Sequence, residues 1–119
     1  MSTSAEFAEF LKEQLKGFGP VTMRRMFGGS GVYRDGLIFA IVIGDVLYLK
    51  ADDVSRGEFT AEGLGPFVYD TKHGSKSVMS YLRAPERCLD DPDEMVAWAR
   101  KAYEAALRQR KPERKAKRR

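Results

Sequence analysis

The sequence predicts an α+β domain: one antiparallel sheet of about five strands, with a helix at each end of the chain. Three observations indicate this class. All 11 glycines fall between Gly17 and Gly74, so both ends favour helices and the middle favours strands and turns. Both ends place apolar residues at helical spacing. In the middle, two dipeptides typical of β-hairpins separate short apolar runs. The expected order is α-β-β-β-(short α)-β-β-α.

The first helix is predicted over residues 4–16. Thr3 is placed to cap its N-terminus, with Glu6 as the reciprocal partner three residues later. Gly19-Pro20 follows and ends the helix, because glycine adopts the left-handed cap conformation and proline cannot continue a helix. The apolar stripe is formed by Phe7, Phe10, Leu11, Leu15 and Phe18.

Two hairpin turns order the next three strands. Asp35-Gly36 separates residues 31–34 from the apolar run Leu37–Ile43 and suits a type I′ turn. Gly44-Asp45 separates that run from residues 46–50. It suits a type II′ turn, because glycine comes first.

The run Leu37–Ile43 shows no alternation of polar and apolar residues, which indicates a strand covered on both faces. One layer of helices covers a single face, so a second chain or an opposite helix would have to cover the other. This favours self-association. Residues 21–27, which precede these strands, are either a further strand or a lead-in to the first.

The second half of the chain begins with a predicted loop over residues 52–66, with a short helical turn near Val54–Phe59. Two short strands follow at residues 67–69 and 78–82, joined by a polar loop. Residues 85–89 favour one further helical turn.

The last helix has the strongest start signal in the chain. Asp91 is placed at the cap, Pro92 at the first turn and Glu94 as the reciprocal partner. The helix is predicted to run to about Arg110, and Pro112 ends it. We therefore expect a domain over residues 1–110 and a basic, disordered tail over residues 111–119. The buried face is formed by Met95, Trp98, Ala99, Ala102 and Ala106.

The net charge of +4 conceals two segments of opposite sign. Residues 1–107 hold 13 basic and 16 acidic residues, whereas residues 108–119 hold eight basic residues and one acidic residue. The sequence therefore favours the tail as a contact for nucleic acid. The tail has no aromatic residue, so binding would be driven by phosphates and insensitive to sequence. The alternative is a tail that only aids solubility. The eight basic residues of positions 108–119 are the candidate contacts: Arg108, Arg110, Lys111, Arg114, Lys115, Lys117, Arg118 and Arg119.

The cysteine and histidine counts limit the possible chemistry. A single cysteine, Cys88, excludes an intramolecular disulfide and a multi-cysteine metal site. A single histidine, His73, makes most zinc sites and a Ser-His-Asp arrangement unfavourable, although it could serve as a base. The longest apolar run is too short for a membrane-spanning helix, and the N-terminus lacks a signal peptide pattern. We expect a cytoplasmic protein that needs no cofactor and no metal and does not contact a membrane.

Residues 19–29, with the sequence GPVTMRRMFGG, resemble the opening motif of the TfoX N-terminal domain family. Residues 31–33, 47–50 and 80–81 extend the resemblance, which covers about residues 4–107. It implies a fold like that of secretion chaperones and pairing into a homodimer. The family includes the TfoX/Sxy regulators of bacterial natural competence, which act alongside a transcription factor, the cyclic-AMP receptor protein. The resemblance implies no catalytic residue.

The full-length regulators carry a second, C-terminal domain of helix-hairpin-helix character, and this chain has the basic tail in its place. The motif supplies a set of candidate partner-binding residues: Arg24, Arg25, Met26, Phe27, Gly28 and Gly29. Arg24 and Arg25 could hold an anion together. Alternatively, one pairs with an acidic residue and the other is solvated, because neighbours on a strand point to opposite faces. Residues 28–31 could offer backbone N–H groups to a phosphate or allow a tight bend.

Three further groups have both functional and structural interpretations. The loop Lys72–Ser77, which contains His73, could bind an anion or form a small active site, but a polar hairpin connection has the same composition. Cys88 is either a buried apolar residue, which we favour, or an exposed thiol. The acidic residues at 90–94 suit capping and the helix dipole better than a cation site.

These observations predict a non-enzymatic binding or regulatory module. One alternative is a protein-interaction or chaperone-like dimeric domain, and the other is a small enzyme that uses the His73 loop.

Overall fold

The computed structural model describes residues 4–26 and 28–110, and within them the α+β architecture is confirmed. Thr3, Phe27 and the tail at residues 111–119 lie outside the described residues. The elements, in chain order, are α1 (Ala5–Gln14), β1 (Thr22–Met26), β2 (Gly29–Arg34), β3 (Leu37–Ile43), β4 (Val46–Lys50), α2 (Arg56–Thr60), β5 (Pro66–Thr71), β6 (Gly74–Arg83), α3 (Arg87–Asp90) and α4 (Pro92–Gln109).

All six strands form one antiparallel sheet, in the order β1-β2-β3-β4-β6-β5. The sheet has one strand more than expected because β1 pairs with β2 along its whole length, from Thr22 opposite Tyr33 to Met26 opposite Gly29. The segment that was either a strand or a lead-in is therefore a strand, and it forms one edge of the sheet. β5 forms the other edge.

Helix α1 begins one residue later than predicted. Its N-cap is Ser4, not Thr3: Ser4 Oγ accepts a hydrogen bond from the backbone N–H of Phe7 at 3.1 Å. The backbone N–H of Ser4 itself donates to Asp45 Oδ1 at 2.8 Å. This second contact fixes the start of the helix against the turn between β3 and β4.

One of the two predicted hairpin turns is confirmed, and the other is of a different type. Asp35 and Gly36 have φ of 52° and 78°, which is the type I′ geometry. At the next turn Gly44 and Asp45 have φ of 60° and 59°, so this turn is also type I′ and the prediction of type II′ was wrong. Aspartate tolerates the left-handed conformation, and the bond from Ser4 holds the Asp45 side chain in place.

The hairpin β5–β6 is longer than the sequence predicts. Its pairing continues down to Thr71 opposite Gly74, whereas the sequence predicts a polar loop over Thr71–Lys76. These residues are mostly exposed and lack the apolar alternation from which a half-buried strand is predicted. The two short helical turns form as α2 and α3, and α4 ends at Gln109, close to the predicted Arg110.

Helices α1 and α4 pack on one face of the sheet and enclose the core there. Phe18, Phe39 and Tyr103 meet ring against ring, with centroids 5.2 to 6.0 Å apart. The buried amide of Gln14 donates to the carbonyl oxygens of Cys88 and Leu89, at 2.9 and 3.2 Å, and so joins α1 to α3. None of the described helices combines the length and apolar character needed to cross a membrane.

The second face of β3 is covered by the sheet itself. Ile41 is only 5% exposed, although it does not belong to the core under the helices. Met26 on edge strand β1 and Phe67 on edge strand β5 line the same cavity as Ile41. The two edges therefore curl towards each other over the middle of the sheet, and neither the second chain nor the opposite helix expected from the sequence is needed to bury this residue.

Candidate binding groove on the sheet

The curl of the sheet creates a cavity of about 440 Å³ on the face that carries no helix. We call this cavity the groove. Its volume falls in the range of small-ligand sites, which are concave and mostly apolar. Its lining residues come from four strands: Met26, Ile41, Phe67, Tyr69, Val78 and Tyr81.

Strand pairing identifies the other side chains on this side of the sheet, because residues directly opposite one another in an antiparallel pair share a face. Tyr48 is opposite Ile41, and Lys50 is opposite Tyr81. Lys76 is opposite Tyr69. We call the side of the sheet that contains the groove and these residues the groove face.

Aromatic rings are concentrated on the groove face. Tyr48 lies 5.2 Å from Phe67, and Phe67 lies 5.9 Å from Tyr69 with only 23° between the ring planes. Tyr33, opposite Thr22 of β1, and Tyr81 add two more rings. Four of the five tyrosines therefore lie on this one face.

Basic residues surround these rings. The Arg24 guanidinium lies over the Tyr33 ring at 5.3 Å, and Lys50 Nζ lies over the Tyr81 ring at 5.0 Å. Lys76 and Arg83 also belong to the groove face; Arg83 is placed there by its pairing with Tyr48. Cations over aromatic faces are favourable, and the stacking orients them.

No acidic residue balances these four cations on the described strands. The one acidic residue in those strands is Asp70, which is opposite Ser75 and therefore points away from the groove face, beside the Tyr69–Lys76 pair. The other acidic residues within the described part of the chain lie on helices, turns and loops. The groove face is thus basic although residues 1–107 as a whole are acidic.

Burial changes the acid–base behaviour of two groove-face residues. It raises the pKa of Tyr81 to about 12, with a smaller contribution from Tyr33. A tyrosine hydroxyl is already protonated at neutral pH, and the raised pKa makes that of Tyr81 still harder to ionise. Burial also lowers the pKa of Lys50, because a partly desolvated ammonium group is less stable.

The sequence profile of the TfoX N-terminal domain family matches residues 13–106, which includes every strand of the sheet. The chain belongs to the TfoX N-terminal domain family. A search of curated proteins gives no match.

The family motif contributes to the groove through β1. Arg24 and Met26 lie on the groove face, whereas Arg25 is opposite Ser30 and points to the other side. The structure therefore separates the two arginines, as expected for neighbours on a strand. Neither of them forms an ion pair within residues 4–26 and 28–110.

The glycines of the family motif have a structural role. Gly28 has φ of 78°, in the left-handed region that favours glycine, and lies where the chain passes from β1 to β2. At Gly29 a Cβ atom would lie 2.1 Å from the backbone oxygen of Val42. These observations favour a tight bend at residues 28–31 over a loop that binds phosphate through its backbone N–H groups.

The other candidate residues lie in structural positions. His73 is exposed at the β5–β6 turn, where its backbone N–H donates to Thr71 Oγ1 at 3.1 Å. Cys88 is fully buried, as favoured from the sequence, and burial raises its pKa to about 12.

The acidic residues at the start of α4 have structural partners. Asp91 caps α4 by accepting from the backbone N–H of Asp93 at 2.9 Å. Glu94 accepts from Arg87 Nε at 2.9 Å.

Of the basic residues assigned to the tail, the structure describes two. Arg108 donates from Nε and Nη2 to the two carboxylate oxygens of Asp52, at 2.6 and 3.0 Å, and so ties the end of α4 to the segment after β4. Arg110 is exposed at the end of the described chain. The other six lie outside the described residues.

The groove was not predicted from the sequence, which directed attention to the tail. A local signal was nevertheless present, because aromatic and basic residues alternate with core residues along the strands. Tyr48-Leu49-Lys50 is one example: Leu49 is buried under the helices, and its two neighbours face the groove. Such a pattern identifies the face but not the curl that makes it concave.

Proposed function

We propose that this chain is a non-enzymatic binding module and that the groove face is its binding surface. The observation that carries the proposal is the combination, on one concave face, of an apolar floor, five aromatic rings and four cations without an acidic residue on the described strands. A partner with an apolar or aromatic part and a negative charge suits this surface. His73, the residue on which an enzymatic interpretation would depend, takes part in a turn on the exposed hairpin.

Membership of the TfoX N-terminal domain family supports a regulatory use of this surface. We infer a link to the control of transcription or of DNA uptake, with a transcription factor as one protein partner, because the regulators that the motif resembles act in this way. In this scheme, the groove face binds either a signal molecule or a second macromolecule, and the domain links that ligand to the transcription factor.

An aromatic sulfonate, anilinonaphthalene sulfonate, tests the binding surface directly, because it carries an apolar body and one negative charge. We expect saturable binding with a single class of site and enhanced fluorescence. Tyr69→Ala should weaken binding, and Val68→Ala is its matched control: the two neighbours are 46% and 48% exposed but point to opposite faces. Equal binding by both variants, or no saturable binding by the unaltered protein, would contradict the proposal.

Self-association is a second candidate function, favoured by the hairpin β5–β6. Val68 and Met79 on this hairpin are each 48% exposed, although both are large apolar residues. β5 is also an edge strand, so its outer backbone groups are available for pairing with another chain. We infer that two copies associate through this hairpin to form a homodimer, which leaves the groove open.

The basic tail supports a third contact, with the phosphates of nucleic acid. Arg108 is engaged by Asp52, so seven of the eight cations counted from the sequence remain for this purpose. The proposed contact is electrostatic and independent of base sequence.

A further inference from the structure

We propose that the groove face binds single-stranded nucleic acid, with bases stacked on its aromatic rings and phosphates held by its four cations. This inference rests on the proposed function, because it names the class of partner for the same surface. It assigns nucleic-acid binding to the folded sheet as well as to the tail, although residues 1–107 are acidic overall.

The rings are arranged for stacking. Phe67 and Tyr69 lie at alternate positions of β5, with only 23° between their planes, and together they form one wall of the groove. Tyr69 is 46% exposed, so its ring is open to a ligand. Every base has an aromatic face, so such rings bind successive bases without regard to sequence.

The cations are distributed along the path that a backbone would follow. Arg24 lies on edge strand β1, Lys50 on β4 in the middle of the sheet, and Lys76 on the hairpin at the other side. Positive charge therefore extends across the groove face, and the described strands place no carboxylate there to repel a phosphate. A positively charged groove with aromatic platforms is typical of single-strand binding proteins.

A duplex does not suit this surface. Its bases are stacked and paired inside the helix, so they cannot reach rings such as Tyr69 and Phe67 in a concave groove. Bases of a single strand can be splayed out and stacked on aromatic side chains. Two copies of this chain do not suit it either, because two faces that each carry four cations would repel one another.

The test measures fluorescence anisotropy with a labelled oligothymidine of about twelve nucleotides, within the site sizes of single-strand binding domains. The full chain is used with six tail residues replaced by glutamine, so that the tail cannot supply the signal. These residues are Lys111, Arg114, Lys115, Lys117, Arg118 and Arg119.

We expect the single strand to bind at least about ten times more tightly than the matched duplex. The salt dependence should have a slope of about −2 to −3, as expected for four phosphate contacts on a single strand.

Matched variants separate the groove face from the rest of the surface. Tyr69→Ala should weaken binding about tenfold, and Val68→Ala on the opposite face should leave it unchanged. Lys76→Gln should weaken binding and flatten the salt slope, whereas Arg100→Gln, which removes the same charge from an exposed position on α4, should do neither. Thermal unfolding of each variant by circular dichroism verifies that it is folded.

Three results would overturn the inference: equal effects of Tyr69→Ala and Val68→Ala, a preference for duplex, or no binding of the oligothymidine. If the oligothymidine does not bind while anilinonaphthalene sulfonate still binds at Tyr69, the partner is a small aromatic anion, and the proposed binding module stands without this inference. If neither ligand binds, both proposals fail.

Discussion

At the scale of single residues, Gly29 sets the distance between two strands of the sheet. A Cβ atom at this position would lie 2.1 Å from the backbone oxygen of Val42 and 2.9 Å from a side-chain carbon of Ile43. A backbone atom cannot rotate aside as the end of a side chain can. The close approach of β2 to β3 at this position therefore requires glycine.

We predict that Gly29→Ala destabilises the protein by about 2–3 kcal/mol, because the strands must separate to make room for the methyl group. Gly57→Ala is the control. Gly57 lies in helix α2 with no atom within 4 Å of the added Cβ, so alanine should stabilise the protein by about 0.5 kcal/mol. Urea denaturation measures both changes, and a Gly29→Ala protein as stable as the unaltered chain would refute the explanation.

At the scale of elements, the Asp52–Arg108 ion pair ties the last turn of α4 to the chain after β4. The Asp52 carboxylate also accepts from the backbone N–H groups of Val54 and Ser55, both at 3.1 Å, and so organises the start of the segment that leads to α2. The hydrogen bonds from Arg108 hold the pKa of Asp52 well below its usual range.

We predict a pH dependence from this pair. Because the folded-state pKa of Asp52 is lowered, its contribution is fully present above the unfolded-state pKa, about 4, and is lost as the pH falls through the folded-state value. Asp52→Asn should lower the Tm by about 4 °C at pH 7. The difference from the unaltered chain should shrink as the pH falls from about 6 to about 2.

Asp53→Asn is the control for this measurement. Its carboxylate pairs with Arg56 at 2.7 Å, but its side chain is 99% exposed, so the pair is screened by solvent and contributes little. A Tm difference for Asp52→Asn that is the same at every pH would show that the charge of Asp52 does not stabilise the fold.

Elements whose signals are local could be predicted from the sequence, and those that depend on distant partners could not. Asp35-Gly36 specifies its own turn, and Asp91-Pro92 specifies the start of α4. The pairing of β1 depends on β2, and the length of β6 depends on β5, so neither was fixed by local sequence. The separation of Arg24 from Arg25 could be predicted, because it follows from alternation along one strand.

At the scale of the whole molecule, the groove combines residues from both edges of the sheet, and no local pattern brings Met26 and Tyr69 together. The charge of the molecule is likewise divided by position. On the described strands, the groove face carries four basic residues and no acidic residue, whereas the described acidic residues other than Asp70 lie on helices, turns and loops. Counting charges along the sequence identified the tail, because its cations lie close together in the sequence. The same count missed the groove face because its four cations are spread over three strands.

The proposed homodimer can be tested by measuring the molecular mass of the protein in solution. We predict that light scattering at micromolar concentration gives about twice the chain mass of 13.4 kDa. Val68→Lys should shift the protein towards monomer, because it places a charge in the proposed hairpin contact. Tyr69→Ala, on the groove face, should leave the mass unchanged. A monomeric mass for the unaltered chain at high concentration would contradict the homodimer.

The tail and the groove face predict different responses to salt, and this difference separates their contributions to nucleic-acid binding. The tail offers contiguous cations without rings, so it should bind duplex through phosphates alone, with a Kd of about 10⁻⁴ to 10⁻⁶ M at physiological salt. For about five phosphate contacts, the logarithm of the duplex affinity should fall against the logarithm of salt concentration with a slope of about −4 to −5.

The glutamine-tail chain should lose this duplex binding and keep its binding to the single strand. The two surfaces carry their cations on different segments, so each can be removed without the other. Anisotropy with labelled duplex at about 50 and about 200 mM salt measures the slope, a range over which several phosphate contacts change affinity by orders of magnitude. Unchanged duplex affinity after the replacement would refute the role of the tail and leave solubility as its function.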